Sequence, residues 1–347
     1  MIYEVIDLNK AHEATLTCYR QQVNGEFPNI PKRPVMIVIP GGGYQMCSER
    51  EADPIALPYL EAGYHVFILR YAVKKNAKWP NPLRDYEDAV RLIRGKAEEW
   101  ALYPDKVAVV GFSAGGHLAG AAATLSAPEC RPNAALLGYA VLNEQSAKEC
   151  EATAPDLVSA VDQDTCPCFL FATRNDNIVP IANSLSFMEA LNKAGISFES
   201  HIYAYGPHGF STGNSAVMAP GSNLCSRATG WVKDSIEWLK DVFGDFGSGE
   251  LTDPMCGRYV NADAAGGFSI DNTMGYLMRD PRSRQILAPL LEAWKQQAGR
   301  QESQEDEGGN ALAEAISQRM TLREILSYAN LPKEAVDNLD TALKSIQ

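Results

Sequence analysis

A serine with a glycine two residues before it and another two residues after it is the first candidate nucleophile of this sequence. Residues 111–115 read Gly-Phe-Ser-Ala-Gly, with the apolar run Val107–Val110 before them and an Ala-rich run over 118–123 after them. This order predicts a strand, a sharp turn and a helix, the context in which such a turn exposes its serine. A serine hydroxyl is a weak nucleophile that needs a base and an oxyanion site. Ser113 therefore predicts catalysis only if partners exist elsewhere in the chain, because an ordinary glycine-rich turn fits the same residues.

Two later loops contain the partners that such a serine needs. Asp176 follows the predicted strand Cys168–Thr173, where a carboxylate could orient an imidazole, although a turn-initiating aspartate is the alternative. His208 stands in a glycine-rich loop after the predicted strand Phe198–Tyr203, so its ring is free to reach across a cleft. Serine, acid and histidine thus occur in that order, each after a strand. We predict that Ser113, Asp176 and His208 form a catalytic triad.

A run of three glycines could provide the oxyanion site. Residues 40–44 read Pro-Gly-Gly-Gly-Tyr and directly follow the apolar run Val35–Ile39. Consecutive glycines leave their backbone N–H groups unscreened by side chains, which suits an anion with a developing charge. We predict that the amides of Gly42, Gly43 and Ala114 bind the oxyanion, with a flexible turn as the alternative explanation of the glycines.

Short apolar strands that alternate with helices over residues 1–243 must position these groups. The pattern predicts an α/β fold, with a mostly parallel sheet covered by helices on both faces and an antiparallel pair at the start. The predicted strands are Ile2–Leu8, Ala14–Arg20, Val35–Ile39, Tyr64–Tyr71, Val107–Val110, Ala134–Tyr139, Cys168–Thr173 and Phe198–Tyr203. The predicted helices are 52–62, Leu83–Trp100, Ile181–Ala194 and Ala228–Val242.

The composition changes after this region. We expect residues 1–243 to form the catalytic domain, residues 244–271 a linker or irregular segment, and residues 272–347 a small helical module. Within the module, Thr321–Glu324 is a capping-box sequence, and Gln296–Asn310 is a polar, acidic linker. Two roles remain open for the module: binding of a partner, or contact between copies in a homo-oligomer.

Bulk properties exclude some classes of partner. The chain has 347 residues, 46% of them hydrophobic, and a net charge of −12, which argues against nucleic acid or an anionic membrane surface as partner. The start of the sequence has no basic region followed by an apolar stretch, so we expect no secretory signal and a cytoplasmic protein. The eight cysteines form no Cys-x-x-Cys unit, which fits free thiols in a reducing compartment. We expect no metal and no organic cofactor.

These motifs together resemble the α/β-hydrolase superfamily, and within it the esterase group of acetyl xylan esterases and feruloyl-esterase-like carbohydrate esterases. The resemblance covers about residues 1–243 and rests on five segments: 40–44, 48–51, 111–118, 176–180 and 206–210. It implies an α/β-hydrolase fold and a serine esterase. The implied substrates are short-chain esters, acetyl first, on xylan-derived or other carbohydrates. A peptidase or amidase of the same fold, or a general short-chain carboxylesterase or lipase, remains the alternative.

Substrate-binding residues are less well defined by the sequence. Glu51, in the Ser-Glu-Arg-Glu segment 48–51, could hydrogen-bond a substrate hydroxyl or form a salt bridge that braces the glycine loop. Aromatic side chains could form a platform for a sugar, although aromatic residues also fill cores. The candidates for this platform are Tyr44, Trp79, Tyr205 and Phe210.

Overall fold

One sheet of eight strands organises the first part of the chain. The computed structural model describes residues 1–247, 250–298, 316–329 and 331–346. The strands are β1 (Ile2–Asn9), β2 (Ala14–Arg20), β3 (Arg33–Ile39), β4 (His65–Arg70), β5 (Leu102–Phe112), β6 (Ala134–Gly138), β7 (Cys168–Thr173) and β8 (Phe198–Tyr203). Their spatial order is β1-β2-β4-β3-β5-β6-β7-β8. Strand β1 pairs antiparallel with β2, and β2 pairs antiparallel with β4. All remaining pairs are parallel, which confirms the predicted fold class.

Helices pack against both faces of this sheet. The helices of the region are α1 (Asp53–Glu61), α2 (Asn81–Gly95), α3 (Ser113–Thr124), α4 (Glu144–Cys150), α5 (Ala182–Ala194) and α6 (Trp231–Phe243). One face contributes alternate residues such as Met36 and Val38 to an apolar cluster with Tyr59 of α1 and Trp231 of α6. The residues between them, such as Ile37, are equally buried, as expected for parallel strands that are covered on both sides.

The parallel direction of the strands brings the predicted site loops to one edge of the sheet. Strand β3 runs parallel to β5, and the parallel pairing continues through β6 and β7 to β8. The glycine loop follows β3, Ser113 follows β5, Asp176 follows β7 and His208 follows β8. All four therefore leave from the carboxyl ends of the strands, where open α/β sheets bind their ligands.

The chain divides into two compact units, Met1–Arg258 and Tyr259–Gln347. The division falls inside the segment 244–271 that the sequence predicts as a linker or irregular segment. The described helices of the second unit are α7 (Ala262–Ala265), α8 (Met274–Leu277), α9 (Pro281–Ala298), α10 (Leu322–Tyr328) and α11 (Lys333–Lys344). Its apolar core includes Leu277, Leu287, Leu322 and Leu343. Residues 299–310 of the predicted acidic linker lie outside the described residues.

A reciprocal main-chain pairing joins two parts of the second unit. Thr273 and Thr321 form an isolated antiparallel bridge. On one side of it Met274 N donates to the carbonyl of Met320 at 2.9 Å, and on the other Leu322 N donates to the carbonyl of Asn272 at 3.0 Å. Each threonine also caps the helix that follows it, α8 or α10, and Thr321 forms the predicted capping box. Among the described residues, no helix is both long and apolar enough to cross a membrane.

Candidate active site

Ser113 lies on a tight turn between β5 and α3. Its backbone has a φ of +53°, a left-handed conformation that is strained for a residue with a side chain. The glycines of the motif allow α3 to pack very closely against the sheet. A Cβ at Gly115 would lie 2.3 Å from the carbonyl oxygens of Ile39 and Pro40, and one at Gly111 would lie 2.3 Å from the carbonyl oxygen of Gly115. Only glycine fits at these positions, so the predicted motif is a geometric requirement of this turn.

The structure brings the three predicted triad residues into one hydrogen-bonded series. His208 Nε2 lies 2.9 Å from Ser113 Oγ, and His208 Nδ1 lies 2.7 Å from Asp176 Oδ2. The other carboxylate oxygen of Asp176 accepts hydrogen bonds from the backbone N–H groups of Ile178 and Val179, both at 2.9 Å. Asp176 is only 7% exposed, so these donors fix a largely desolvated carboxylate behind the imidazole. This is the arrangement by which a histidine can deprotonate a serine.

The glycine loop after β3 faces the same space. Gly42 has a φ of +131° and Gly43 a φ of +61°, and a Cβ at Gly42 would lie 2.2 Å from the carbonyl oxygen of Met46. In the described part of the chain, neither backbone N–H of these two glycines donates to another protein group. Ala114 lies in the first turn of α3, where N–H groups have no acceptor within the helix. The oxyanion hole formed by Gly42, Gly43 and Ala114 stays a prediction that these free donors support.

A buried carboxylate holds the glycine loop from behind. Glu51 is 3% exposed, and its Oε2 accepts a hydrogen bond from Gly41 N at 2.8 Å. Its Oε1 accepts a hydrogen bond from the hydroxyl of Tyr139 at 2.6 Å. Burial raises the pKa of Glu51, while the hydrogen bonds from Tyr139 and Gly41 lower it. Both oxygens thus have protein donors, which favours the brace over direct binding of a substrate hydroxyl. The brace consists of these two hydrogen bonds and not of the predicted salt bridge, since no ion pair among the described residues includes Glu51.

Tyr139 links this brace to the histidine loop. Its hydroxyl accepts a hydrogen bond from Ser211 N at 3.1 Å, and its ring packs edge-on against His208 with centroids 5.1 Å apart. Tyr139 and Ser211 have φ values of +34° and +52°, so both ends of this contact are in strained conformations. The Ser211 carbonyl in turn accepts a hydrogen bond from Trp231 Nε1 at 2.9 Å. These contacts connect the loops after β3, β6 and β8.

An open cavity of about 500 Å³ lies over the triad. Ser113, His208 and the two predicted oxyanion glycines line it. The remaining lining residues are Met46, Ser48, Arg50, Glu51, Val141, Ser146, Glu149, Cys150, Ile178, Val179 and Gly209. This volume accommodates a small ester.

None of the four candidate aromatic residues lines the cavity, and for Tyr44 and Phe210 the structure favours the alternative of core packing. Tyr44 is 0% exposed, and its hydroxyl hydrogen-bonds His117 Nδ1 at 2.8 Å. Phe210 is 1% exposed and packs against Tyr139 with centroids 4.9 Å apart. Trp79 packs edge-on against His117 and does not line the cavity, and neither does the exposed Tyr205. Tyr44, Trp79 and Phe210 pack against other side chains near the site, and none of the four aromatic candidates lines the cavity.

Helix α4 is the part of the site that the sequence analysis missed. It contributes Ser146, Glu149 and Cys150 to the cavity wall. A signal for it was present, because Asn143 precedes the helix and its side chain accepts a hydrogen bond from Ser146 N at 2.9 Å. Arg50, which is next to the brace residue Glu51 in the sequence, also lines the cavity and was not among the predicted site residues. No group of three or more potential metal ligands occurs among the residues that the structure describes.

The parallel sheet and the strand–turn–helix at Ser113 define an α/β hydrolase. Comparisons with known proteins agree. The family model BD-FAE matches residues 28–131. The crystal structure of an α/β-hydrolase enzyme from a Medee basin deep-sea metagenome library has 43% identity and a TM-score of 0.64, over 70% of this chain and 98% of that one. The chain belongs to the α/β-hydrolase superfamily.

Two curated relatives are similar over part of their length. Endo-1,4-beta-xylanase B of Butyrivibrio fibrisolvens is 32% identical over 211 residues, which are 53% of this chain and 33% of that protein. Acetylxylan esterase of Xylanibacter ruminicola is 27% identical over 233 residues, which are 60% of this chain and 46% of that protein. The chain thus spans a third to about half of the length of the curated relatives that it matches.

Proposed function

We propose that this protein is a serine esterase that hydrolyses short-chain esters, acetyl first, on xylan-derived or other carbohydrates. The observation that carries the proposal is the hydrogen-bonded series from Asp176 through His208 to Ser113, at the edge of a cavity about 500 Å³ in volume. The similarity to the acetylxylan esterase of Xylanibacter ruminicola favours an acetylated carbohydrate as substrate.

The first half of the proposed reaction forms an acyl-enzyme. His208 Nε2 takes the hydroxyl proton of Ser113 while Oγ attacks the carbonyl carbon of the ester. Asp176 accepts the Nδ1–H hydrogen bond of His208 and stabilises the resulting imidazolium. The negative charge that develops on the carbonyl oxygen is stabilised by the amides of Gly42, Gly43 and Ala114. The tetrahedral intermediate then collapses, and the leaving alcohol oxygen receives the proton from His208.

The second half restores the enzyme. A water molecule enters the place of the alcohol and gives a proton to His208 Nε2 as its oxygen attacks the acyl carbonyl. The same three amides stabilise the second oxyanion. Collapse of this intermediate returns the proton to Ser113 Oγ and releases the carboxylic acid. The brace at Glu51 supports both halves, because Gly41 adjoins Gly42 and Gly43 in the glycine loop.

A substrate panel with an inactive variant tests this proposal. The wild-type protein is expected to hydrolyse p-nitrophenyl acetate and to release acetate from acetylated xylo-oligosaccharides. Ser113→Ala should lower kcat by about 1,000-fold or more, since only binding and the oxyanion donors remain, with an unchanged circular-dichroism spectrum. An aminoacyl-nitroanilide and a feruloyl ester complete the panel. Preferred cleavage of the anilide would contradict the esterase, and full activity of Ser113→Ala would contradict the triad.

A further inference from the structure

Arg50 places a positive charge on the wall of the cavity that contains Ser113 and His208. The residue is exposed, and its guanidinium lies close to the histidine loop, because a Cβ at Gly209 would be 3.3 Å from Arg50 Nη2. Among the hydrogen bonds and ion pairs of the described residues, none involves this guanidinium. Its donors therefore remain available to a molecule in the cavity.

The backbone of Arg50 is fixed, although no hydrogen bond or ion pair among the described residues holds its guanidinium. Its carbonyl oxygen accepts a hydrogen bond from Ser211 Oγ at 2.5 Å, and the next residue is the buried brace Glu51. The position from which the side chain extends is thus determined by the same contacts that hold the site loops. A guanidinium is planar, permanently charged and matched in geometry to a carboxylate, to which it can donate two parallel hydrogen bonds.

The acidic residues of the cavity leave this charge available. Glu51 accepts hydrogen bonds from Gly41 and Tyr139 with its two oxygens, and its electrostatic interaction with Arg50 is not a contact ion pair. Glu149 accepts a hydrogen bond from Gln145 at 3.1 Å, and no ion pair joins it to Arg50 in the described structure. The whole chain has a net charge of −12, so its long-range field repels an anion. Attraction of an anionic substrate would have to come from a local cation such as Arg50.

The location of Arg50 also indicates which part of an ester it would contact. In the proposed reaction His208 gives its proton to the leaving alcohol, so the histidine loop borders the alcohol part of the substrate. Gly209 directly follows His208, and Arg50 lies against Gly209. A group held by Arg50 therefore belongs to the alcohol part of the ester and not to the acyl chain.

We propose that Arg50 binds a carboxylate on the alcohol part of the ester, so that the preferred substrates are short-chain acyl esters of acidic carbohydrates such as uronic acids. This inference rests on the proposed esterase function and specifies its substrate class. Arg50 is then a specificity-determining residue.

A pair of isosteric substrates tests the inference. Acetylated glucuronic acid and acetylated glucuronamide differ in one charge, and acetate release measures kcat/KM for each. The wild-type enzyme should prefer the acid by about 10-fold or more, as expected for a charge-assisted pair in a partly open site. Arg50→Gln should abolish most of this preference, whereas Arg50→Lys should retain part of it. The preference should also decrease as salt concentration rises.

Arg227→Gln is the matched control, because it removes the same charge at an exposed position that does not line the cavity. It should leave the acid-to-amide ratio unchanged. Equal kcat/KM values for acid and amide in the wild-type enzyme would overturn the inference, and so would an Arg50→Gln variant that keeps the ratio. If Arg50→Gln fails to fold, the acid-to-amide ratio of Arg50→Lys and the salt dependence of the wild-type ratio test the inference. An unchanged ratio at high salt would then overturn it. Failure to hydrolyse p-nitrophenyl acetate would instead contradict the proposed esterase function.

Discussion

The two units of the chain stabilise their polar groups in different ways. In the first unit the important contacts join residues that are far apart in sequence: Tyr139 donates to Glu51 from 88 positions away, and His208 meets Ser113 from 95. In the second unit Thr273 and Thr321 cap helices through N–H groups only three residues further along. The loops of the site therefore depend on the assembled sheet. In the second unit the first turns of α8 and α10 have local caps, and the Thr273–Thr321 bridge and a small apolar core join its segments.

This difference predicts which substitutions should change catalysis and which should change only stability. A lost long-range contact in the first unit moves a loop relative to the triad, so its effect should appear in catalysis. A lost local cap in the second unit weakens one helix, so its effect should appear only in stability. The following three experiments test this contrast, from the strongest expected change to the weakest.

Removal of the brace should have the largest effect. Glu51→Ala leaves Gly41 N without its acceptor and Tyr139 without its carboxylate. We expect kcat on p-nitrophenyl acetate to fall by about 100-fold, comparable with the loss of one oxyanion donor, while KM changes much less. Glu51→Gln should be intermediate, because its amide oxygen can accept one of the two hydrogen bonds. The exposed Glu61→Ala is the control. Wild-type kcat in Glu51→Ala would show that the loop needs no brace.

Acidification from pH 7 to 4.5 should weaken the first unit more than the second. All five histidines of the chain lie before residue 259. Burial lowers the pKa of His117 to about 4, so between about pH 6.5 and 4 the unfolded chain binds a proton there that the folded chain does not. The free energy of unfolding should thus fall with decreasing pH, by about 1.4 kcal/mol per pH unit for this residue.

The contribution of His117 is measured by comparing how steeply the free energy of unfolding falls with pH in the wild-type protein and in a variant without this histidine. The buried His65 has its pKa lowered in the same way, whereas Glu51 and Asp85 have raised pKa values that act in the opposite direction. His117→Gln removes one contribution and leaves the others. Urea unfolding of both proteins from pH 7 to 4.5 should give a smaller slope for the variant, and equal slopes would contradict a neutral buried His117. As the pH falls, amide hydrogen exchange, corrected for its intrinsic pH dependence, should accelerate more in the first unit than in the second.

Loss of a helix cap should have the smallest effect. Thr321→Ala removes the side chain that accepts from Glu324 N, and should cost the second unit about 1 kcal/mol of stability. Hydrogen exchange in α10 should accelerate while kcat and KM stay at their wild-type values. Thr341→Ala, whose hydroxyl donates to the Asp337 carbonyl inside α11, should change stability much less. A fall in kcat with Thr321→Ala would contradict the expectation that this cap affects stability and not catalysis.

The distinction between local and long-range contacts also explains which features the sequence could predict. The strands Cys168–Thr173 and Phe198–Tyr203 have the predicted bounds, because apolar runs between turn residues are local signals. The site loops follow from these strands by topology, and with them the proximity of Ser113 and His208. The brace could not be predicted in the same way, since nothing near Glu51 indicates that its donor is Tyr139.

The burial of the aromatic residues near the site could not be predicted from the sequence either. Tyr44 adjoins the glycine loop and Phe210 is two residues from His208, so the sequence left both a sugar platform and core packing open. Burial in the core depends on which way each side chain faces, and that is decided by packing partners such as His117 and Tyr139 from other elements. The cytoplasmic location and the role of the second unit in a partner complex or homo-oligomer stay predictions.

The reciprocal bridge between Thr273 and Thr321 limits how the second unit could join two copies of this chain. Two hydrogen bonds of equal kind run in opposite directions across it, so the bridge has a local two-fold axis, the symmetry that joins identical subunits in a dimer. Here one chain provides both sides. The N–H and C=O groups of this bridge are already used within the molecule, and a dimer built through them would require two chains to exchange these segments as in domain swapping.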